Sequence, residues 1–361
     1  MDKRLLQFKK ALNGIAEVGW QEESTTSYIQ KMLKTTPLKR GFGGKNVGLL
    51  YKVGKGKKAI LLRADIDALK TQAGIKHTCG HSSHTAALMD AFLKRHEVIQ
   101  KSLKTIYFLF QPAEETYPSG AKAFLDNCQN IMHTVSFAFA AHVRPKLPLG
   151  ELGLASVVLG RGDYMEIEVH GKMVHVKNTP QGIDALEAAA HIVLFVRKLQ
   201  KKYKKHLRIN IGVASSGLQP NAVPDYAMLK GDIRMKDNKY QSIVKQLLQN
   251  KLQELEKTLG VRTNFRYFDG YPPLVNDRKL LREVATYIGK TTSLRPSFND
   301  ELFTFGSEDF SFIANTVPSV YVLVGTGDDH DIHEENCTIS DKGTEYISTY
   351  FTSVIDWWLQ Q

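Results

Sequence analysis

The sequence has little of what marks a secreted, fibrous or membrane-spanning chain. Its 361 residues include only three cysteines, Cys79, Cys128 and Cys337, which are too few and too scattered for a disulfide framework. No run of about 18 apolar residues is present, as a membrane-spanning helix would need. The hydrophobic fraction of 42% and the charged fraction of 24% are ordinary for a globular protein, which excludes a disordered, collagen-like or coiled-coil chain.

An export signal is also missing from the start of the sequence. The segment MDKRLLQFKKALNGIAEVGW carries Lys and Gln among its apolar positions, a pattern typical of an amphipathic helix and not of a signal peptide. We therefore expect the protein in the cytoplasm, where its cysteines stay reduced and free to bind a metal ion.

Acidic residues are outnumbered, since 48 Lys and Arg against 37 Asp and Glu give a net charge of +11. Much of the excess lies in RKLQKKYKK, residues 197–205, where a solvated helix end is the simplest interpretation because cations are favourable near a helix C-terminus. Attraction of anionic small molecules is a second interpretation. A nucleic-acid patch is a third, but only Tyr203 interrupts the basic run, and we expect no nucleic-acid or membrane partner.

Four nearly continuous apolar runs predict strands that are covered on both faces. Helical patterns lie between them, at 83–98 and at about 120–127. This alternation predicts an α/β layer with a mainly parallel sheet. The four runs are residues 58–67, 105–112, 136–143 and 319–327.

The middle of the chain predicts a different unit. Its elements follow the order β-α-β-β-α-β of a ferredoxin-like fold: 163–171, 183–205, 207–217, 226–235, 239–260 and 261–268. Since a strand of the parallel-sheet type follows near residue 320, this unit is an insertion. We expect a discontinuous domain of residues 1–160 and 272–361, interrupted by a ferredoxin-like domain of residues 161–271.

Potential metal ligands follow the predicted parallel strands, at the edge where ligand sites form in open α/β sheets. Four separate segments contribute them: His77, Cys79, His81 and His84; Glu114 and Glu115; His142; and His330 and His333. Each of these residues alone has an ordinary structural explanation. Together they favour one site built from Cys79, His81, Glu115, His142 and His333.

The types of these side chains indicate which cation fits. A thiolate, imidazoles and carboxylates suit Zn²⁺, Mn²⁺, Co²⁺ or Ni²⁺, whereas a Mg²⁺ or Ca²⁺ site would not need a cysteine. Glu114 and Glu115 are adjacent at a strand end and point in different directions. One carboxylate can therefore bind metal while the other takes a proton from an activated water.

At these residues the sequence resembles the metal-dependent amidohydrolases of the aminoacylase, hippurate hydrolase and N-acetyldiaminopimelate deacetylase group, which are relatives of carboxypeptidase G. The resemblance spans nearly the whole chain. It is carried by the motifs RADIDAL (63–69), HTCGHSSHTA (77–86), FQPAEE (110–115), AAHVRP (140–145), GKMVHV (171–176), NAVPD (221–225), GDIR (231–234) and GSEDF (306–310).

The resemblance implies two divalent metal ions, with zinc or manganese as the first choice and cobalt or nickel as the second. It implies that the ligands are Cys79, His81, Glu115, His142 and His333. Glu114 would be the general base and later the acid, and Asp67 would orient a ligand.

The resemblance also assigns roles to the inserted domain, which acts as a lid and dimerisation domain in this family. His175 would polarise the amide carbonyl, while Asn221 and Arg234 would contact the substrate. Arg234 suits a planar carboxylate through a bidentate pair. A homodimer is therefore expected.

The sequence departs from the usual family motifs at several positions. Ser82 follows His81 where the family usually has Asp, and Lys70 follows RADIDAL in place of Pro. GKMVHV replaces a motif of smaller residues. The last motif, IHEENCTIS, lacks the usual Pro, and its spacing favours His333 over His330. These changes bear on the substrate and on the occupancy of the metal sites.

Hydrolysis of an N-acyl amino acid or a similar small amide is the function that these features predict first. A di- or aminopeptidase on the same scaffold is the alternative enzyme. A binding or regulatory protein that Ser82 and the altered lid have deprived of activity is an alternative outside catalysis.

Overall fold

A computed structural model describes residues 2–361, and the chain divides into two compact units. The first contains the residues up to Val158 together with Val275–Leu302 and Glu308–Gln361, and the second contains Leu159–Leu274 and Phe303–Ser307. The sequence pattern did not assign the short segment Phe303–Ser307 to the second unit. It lies there because Lys236 is 4.8 Å from the Phe303 ring and Arg208 is 4.1 Å from the Phe305 ring.

Sixteen strands are present among the described residues. They are β1 (Lys39–Arg40), β2 (Leu49–Gly54), β3 (Ala59–Asp65), β4 (Leu69–Thr71), β5 (Gly74–Lys76), β6 (Thr105–Gln111), β7 (Val135–Arg144), β8 (Glu151–Leu154), β9 (Val157–Leu159), β10 (Arg161–His170), β11 (Leu207–Ser216), β12 (Tyr226–Met235), β13 (Arg262–Tyr271), β14 (Leu274–Val275), β15 (Arg295–Phe298) and β16 (Ser319–Gly325).

Nine α-helices accompany these strands in residues 2–361. They are α1 (Lys3–Gly14), α2 (Glu23–Leu33), α3 (His81–Lys101), α4 (Gly120–Met132), α5 (Ala185–Lys202), α6 (Lys239–Leu259), α7 (Arg278–Thr291), α8 (Phe310–Ala314) and α9 (Asp341–Leu359). Two short 3₁₀ helices span Val176–Gln181 and Asp300–Leu302. In the described part of the chain, no helix has the length and apolar character needed to cross a membrane.

The first unit is built on an eight-stranded sheet with the order β1-β2-β6-β3-β7-β16-β8-β15. Its four central strands, β6, β3, β7 and β16, are parallel to their neighbours in this group and correspond to the four apolar runs of the sequence. Every residue of β3, β6 and β16 is buried, as the lack of polar alternation predicted. The predicted α/β class with a mainly parallel sheet is confirmed.

Helix α3 lies at the centre of the packing in the first unit. It contacts α1, α9 and β3, and most of its first three turns are buried. The rings of Tyr51, Phe92 and Phe108 meet edge to face in the adjoining core, with centroid separations of 4.9–5.4 Å. Such aromatic packing fixes the middle of α3 relative to the sheet, because buried rings tolerate little displacement.

The second unit has the predicted β-α-β-β-α-β order. Its antiparallel sheet has the strand order β11-β12-β10-β13, and α5 and α6 contribute to one apolar core with it. Along β10 the buried positions Met165, Ile167 and Val169 alternate with more exposed residues, so one face of this strand enters the core. The ferredoxin-like topology predicted for the insertion is therefore present.

Candidate metal centre

The predicted ligands come from four places in the first unit. Cys79 lies in the turn before α3, and His81 is the first residue of that helix. Glu115 follows β6, and His142 lies near the carboxyl end of β7. Because β6 and β7 both flank β3 in the sheet, their carboxyl ends come out close together.

His333 reaches this edge on the long connection between β16 and α9. Its backbone N–H donates to the carbonyl oxygen of Thr78 at 3.0 Å, which ties the connection to the turn that carries Cys79. His330 instead lies on the surface, with Nδ1 3.1 Å from an oxygen of Glu334. The structure therefore brings His333, and not His330, to the other candidate ligands.

Short distances link all five predicted ligands. Cys79 Sγ lies 3.4 Å from His142 Nε2 and 3.2 Å from His333 Nε2. Glu115 Oε1 lies 3.2 Å from His333 Nε2 and 4.0 Å from His81 Nε2. One thiol, three imidazoles and one carboxylate thus face a common space.

His81 shows that this space fits a cation. Its Nδ1 lies 3.0 Å from the carbonyl oxygen and 3.1 Å from Oδ1 of Asp67, whereas Nε2 is buried and has no hydrogen-bond partner. Burial alone would lower the pKa of His81, but the carboxylates of Asp65 and Asp67 raise it to about 10. A positive charge is therefore stabilised at this position, and Nε2 is free to bind a metal ion.

The pKa values of His142 and Cys79 also fit a site for a metal ion. Burial lowers the pKa of His142 to about 3, so its imidazole is neutral and can act as a ligand. Burial and the carboxylate of Glu115 raise the pKa of the Cys79 thiol well above its usual range. A metal ion would reverse that effect, because a bound cation stabilises the thiolate.

Asp65 and His84 are also buried against the cluster, although the sequence analysis did not include either in the predicted site. Asp65, His81, His84 and His142 place one ligand atom each within 4.8 Å of the others. His84 Nε2 accepts the Val143 N–H at 3.0 Å, so Nδ1 carries the proton and donates to Asp65 Oδ1 at 2.7 Å. Both nitrogens of His84 are thereby used, and the residue supports its neighbours without a free ligand atom.

Glu114 lies with a group of buried acids, whereas Glu115 lies with the predicted metal ligands. Single oxygens of Glu114, Glu308 and Asp309 lie within 4.8 Å of one another in the interior. Burial and the neighbouring Glu308 raise the pKa of Glu114 well above its usual range. A carboxylate with a raised pKa is suited to accept and return a proton near neutral pH.

A fully buried arginine balances these acids. Arg63 Nη1 donates to Asp65 at 2.7 Å, and Nη2 donates to Glu308 and Asp309 at 2.8 Å each. The motifs RADIDAL and GSEDF contain this arginine and its partners, but their pairing follows from the fold. The sequence did not reveal this pairing, because Arg63 and Glu308 are 245 positions apart in the chain.

The candidate substrate residues lie in the second unit. His175 pairs with Ala222 through an isolated β-bridge, and the Val176 N–H donates to the Asn221 carbonyl at 2.9 Å, so His175 and Asn221 lie close together. His175 Nδ1 accepts the backbone N–H of Lys177 at 3.2 Å.

The contacts of Arg234 differ from the expected bidentate pair with a substrate carboxylate. Its Nε and Nη2 donate to the two oxygens of Asp232 at 2.7 and 2.8 Å, and its Nη1 donates to Ser307 Oγ at 2.7 Å. The edge of the guanidinium group that would face a planar carboxylate is therefore held by Asp232, which is also part of the GDIR motif.

Similarity to known proteins extends beyond this site to the whole chain. Residues 61–355 match the model of the peptidase family M20/M25/M40. Two Bacillus subtilis proteins, an N-acetyl-L-cysteine deacetylase and an N-acetylcysteine deacetylase, are 27% and 26% identical over 97% of this chain, covering 87% and 96% of their own lengths.

Solved structures show the same fold at low sequence identity. A dinuclear metal-binding peptidase of the M20 family from Bacillus subtilis superimposes with a TM-score of 0.84 at 24% identity, covering 97% of this chain and 96% of its own. The Bacillus cereus aminopeptidase PepT has a TM-score of 0.80 at 18% identity, with 99% of each chain covered. The resemblance to metal-dependent amidohydrolases, and with it the expectation of a hydrolase, is confirmed, and the chain belongs to the peptidase family M20/M25/M40.

Proposed function

We propose that the protein hydrolyses the amide bond of N-acyl amino acids, with N-acetyl amino acids as the first class to test. The observation that carries this proposal is the grouping of Cys79, His81, Glu115, His142 and His333. Glu114 directly precedes Glu115 in the chain, and its charge contributes to the raised pKa of the Cys79 thiol. Membership of a hydrolase family and the two relatives named as deacetylases of N-acetylcysteine support the choice of substrate class.

The proposed cofactor is a pair of divalent metal ions held by these five residues. The donor set favours zinc or manganese, followed by cobalt or nickel. The solved relative described as a dinuclear metal-binding peptidase supports a pair of ions over a single one. When bound, such ions lower the pKa of water and polarise an amide carbonyl.

Glu114 carries the proton transfers in this proposal. Its carboxylate takes a proton from the attacking water and then delivers that proton to the leaving nitrogen, which cleaves the C–N bond. Asp67 holds His81 in the required tautomer and orientation through its contacts with Nδ1.

The second unit is proposed to act as the lid. His175 would donate to the amide oxygen as negative charge develops on it, and Asn221 would contact the substrate nearby. Arg234 would attract the substrate carboxylate by charge, with Asp232 fixing the orientation of its guanidinium group. The same unit is proposed to form the contact of a homodimer.

The test is a substrate panel applied to metal-reconstituted protein. N-acetyl amino acids are compared with unblocked dipeptides that carry the same residues, and Glu114→Gln is the matched control. Turnover of the acetylated series by the wild type, and its loss in Glu114→Gln at equal metal content, is the expected result.

Other outcomes overturn parts of this proposal. Cleavage of the unblocked dipeptides alone indicates a di- or aminopeptidase. Full metal content without turnover of either series indicates a binding or regulatory role. Retained hydrolysis in Glu114→Gln removes the assignment of the base.

A further inference from the structure

The buried side chains of two acidic residues hold the backbone on either side of Glu114. The N–H of Ala113, the preceding residue, donates to Glu22 Oε1 at 2.7 Å. The N–H of Glu115, the following residue, donates to Asp67 Oδ2 at 2.9 Å. Both acids are fully buried, so neither hydrogen bond competes with water.

The backbone that Glu22 holds is in an unfavourable conformation. Ala113 has φ +52, in the left-handed region that residues with a Cβ atom rarely adopt. Such a conformation persists only where its surroundings enforce it. Here the Ala113 N–H is bound by Glu22 and its carbonyl oxygen accepts the Gly120 N–H at 2.9 Å, so contacts on both sides enforce it.

Neither helix capping nor a salt bridge explains why an acid occupies position 22. Glu22 directly precedes α2, but its side chain does not cap that helix. Among residues 2–361, no salt bridge joins Glu22 to a basic side chain. Burial, together with the negative charge of Asp67, raises the pKa of Glu22 to about 8, so the acid sits in an environment that disfavours its charge.

We infer that Glu22 is a positioning residue: by accepting the Ala113 N–H it holds that residue in its left-handed conformation and so aims the Glu114 carboxyl. Asp67 supplies the second fixed point at Glu115. A side chain at position 22 therefore controls the base from a distant part of the sequence. The kinetic consequence rests on the function proposed above, whereas the structural consequence does not.

The experiment compares Glu22→Leu with Glu22→Gln. Leucine has a similar size and no acceptor, while the glutamine amide oxygen still accepts the Ala113 N–H. Metal content, kcat, KM and the hydrogen exchange of the Ala113 amide are measured for both. In Glu22→Leu we expect that amide to exchange at least about tenfold faster and kcat to fall roughly 10- to 100-fold, with KM and metal content unchanged, because a small misplacement of a reacting group has effects of that size.

Glu22→Gln is expected to match the wild type in all four measurements. Unchanged exchange at Ala113 in Glu22→Leu overturns the inference, as does an equal loss of kcat in both variants at full metal content. If Glu22→Leu does not fold, Glu22→Asp replaces it, since the shorter acid withdraws the acceptor from Ala113 and the same changes are expected. If the wild type turns over no amide, the proposed function fails, but the exchange rates still decide the role of Glu22.

Discussion

At the scale of single residues, the same groups that suit the site for a metal ion also make it sensitive to pH. The pKa of the Cys79 thiol is raised well above its usual range by burial and Glu115, and that of His81 is raised to about 10 by Asp65 and Asp67. Without a metal ion, both groups are therefore protonated at neutral pH. A metal ion binds the thiolate and the neutral imidazole, so each must lose its proton.

Metal affinity is accordingly expected to rise with pH between about pH 6 and 8, with about two to three protons released per chain on loading, because the hydrogen bond with Glu115 also raises the pKa of the His333 imidazole. Titration calorimetry in buffers of different ionisation enthalpy measures that number. Cys79→Ser is the control and should release about one proton fewer, because the serine hydroxyl keeps its proton over this range. Equal proton release by the two proteins would show that Cys79 does not bind the ion.

A second residue-scale effect concerns stability. The pKa of Glu22 rises from 4.5 to about 8 on folding, owing to burial and Asp67. The folded state therefore binds a proton more tightly than the unfolded state. This contribution to stability is complete below about pH 4.5 and is lost as the pH rises through about 8.

Glu22→Gln is expected to remove that dependence. Its melting temperature should fall less than that of the wild type between pH 5 and pH 9, since the amide mimics the protonated acid at every pH. Thermal denaturation of the metal-free proteins across this range measures the difference. Parallel curves for the two proteins would contradict the assigned pKa.

At the scale of elements, the connection between β6 and α4 decides where the two glutamates point. It carries both Glu114 and Glu115, and it begins with Pro112 and Ala113 before α4 starts at Gly120. A Cβ atom at Gly120 would lie 1.7 Å from the Pro112 carbonyl oxygen, a separation that no side chain tolerates. The close approach of this helix start to the connection therefore requires glycine.

Gly120→Ala should displace this connection, lowering the free energy of unfolding by about 1–3 kcal/mol, as overpacking does, and lowering metal affinity as well. Chemical denaturation and metal titration measure the two effects. Gly14→Ala is the matched control, because no atom lies within 4 Å of a Cβ there and the residue is the last of α1. A Gly120→Ala protein as stable and as metal-avid as Gly14→Ala would refute the steric argument.

At the scale of the whole molecule, the second unit has an exposed edge that suits the proposed dimer. The edge strand β11 carries exposed residues in its second half, and Val213 is 50% exposed. Edge strands with unpaired backbone groups readily pair with another chain. An interface at this strand therefore fits the dimerisation role that the family resemblance implies for the inserted domain.

Sedimentation velocity should accordingly give twice the chain mass of 40.6 kDa. Val213→Glu is expected to shift the protein towards monomer, because it places a charge in the proposed interface. Leu103→Glu, at a residue of the first unit that is 92% exposed, is the control and should leave the dimer intact. A monomeric wild type would remove the dimer from the proposal.

The parts of the fold that could be read from the sequence are those with a strong local pattern. The four central strands are buried on both faces and therefore appear as continuous apolar runs, while the inserted unit shows a regular order of alternating strands and long helices. The outer strands β1, β2, β8 and β15 were not predicted. Strands β1, β8 and β15 have only two to four residues and carry no periodicity, and the six-residue β2 has a short apolar run that Lys52 interrupts. Helix α9 was not predicted either, since more than half of its residues are aromatic or β-branched, and such residues favour strands over helices.

The sequence by itself determined the fold class, the family and the kinds of side chain that reach the sheet edge, because these follow from local patterns and motif spacing. Only the tertiary structure decided how those side chains divide their work. It placed Arg63 among Asp65, Glu308 and Asp309, used both nitrogens of His84, and set Glu22 against Ala113. The physical reason is that hydrogen bonds between residues far apart in the chain depend on angles and distances that exist only after the sheet and helices have packed.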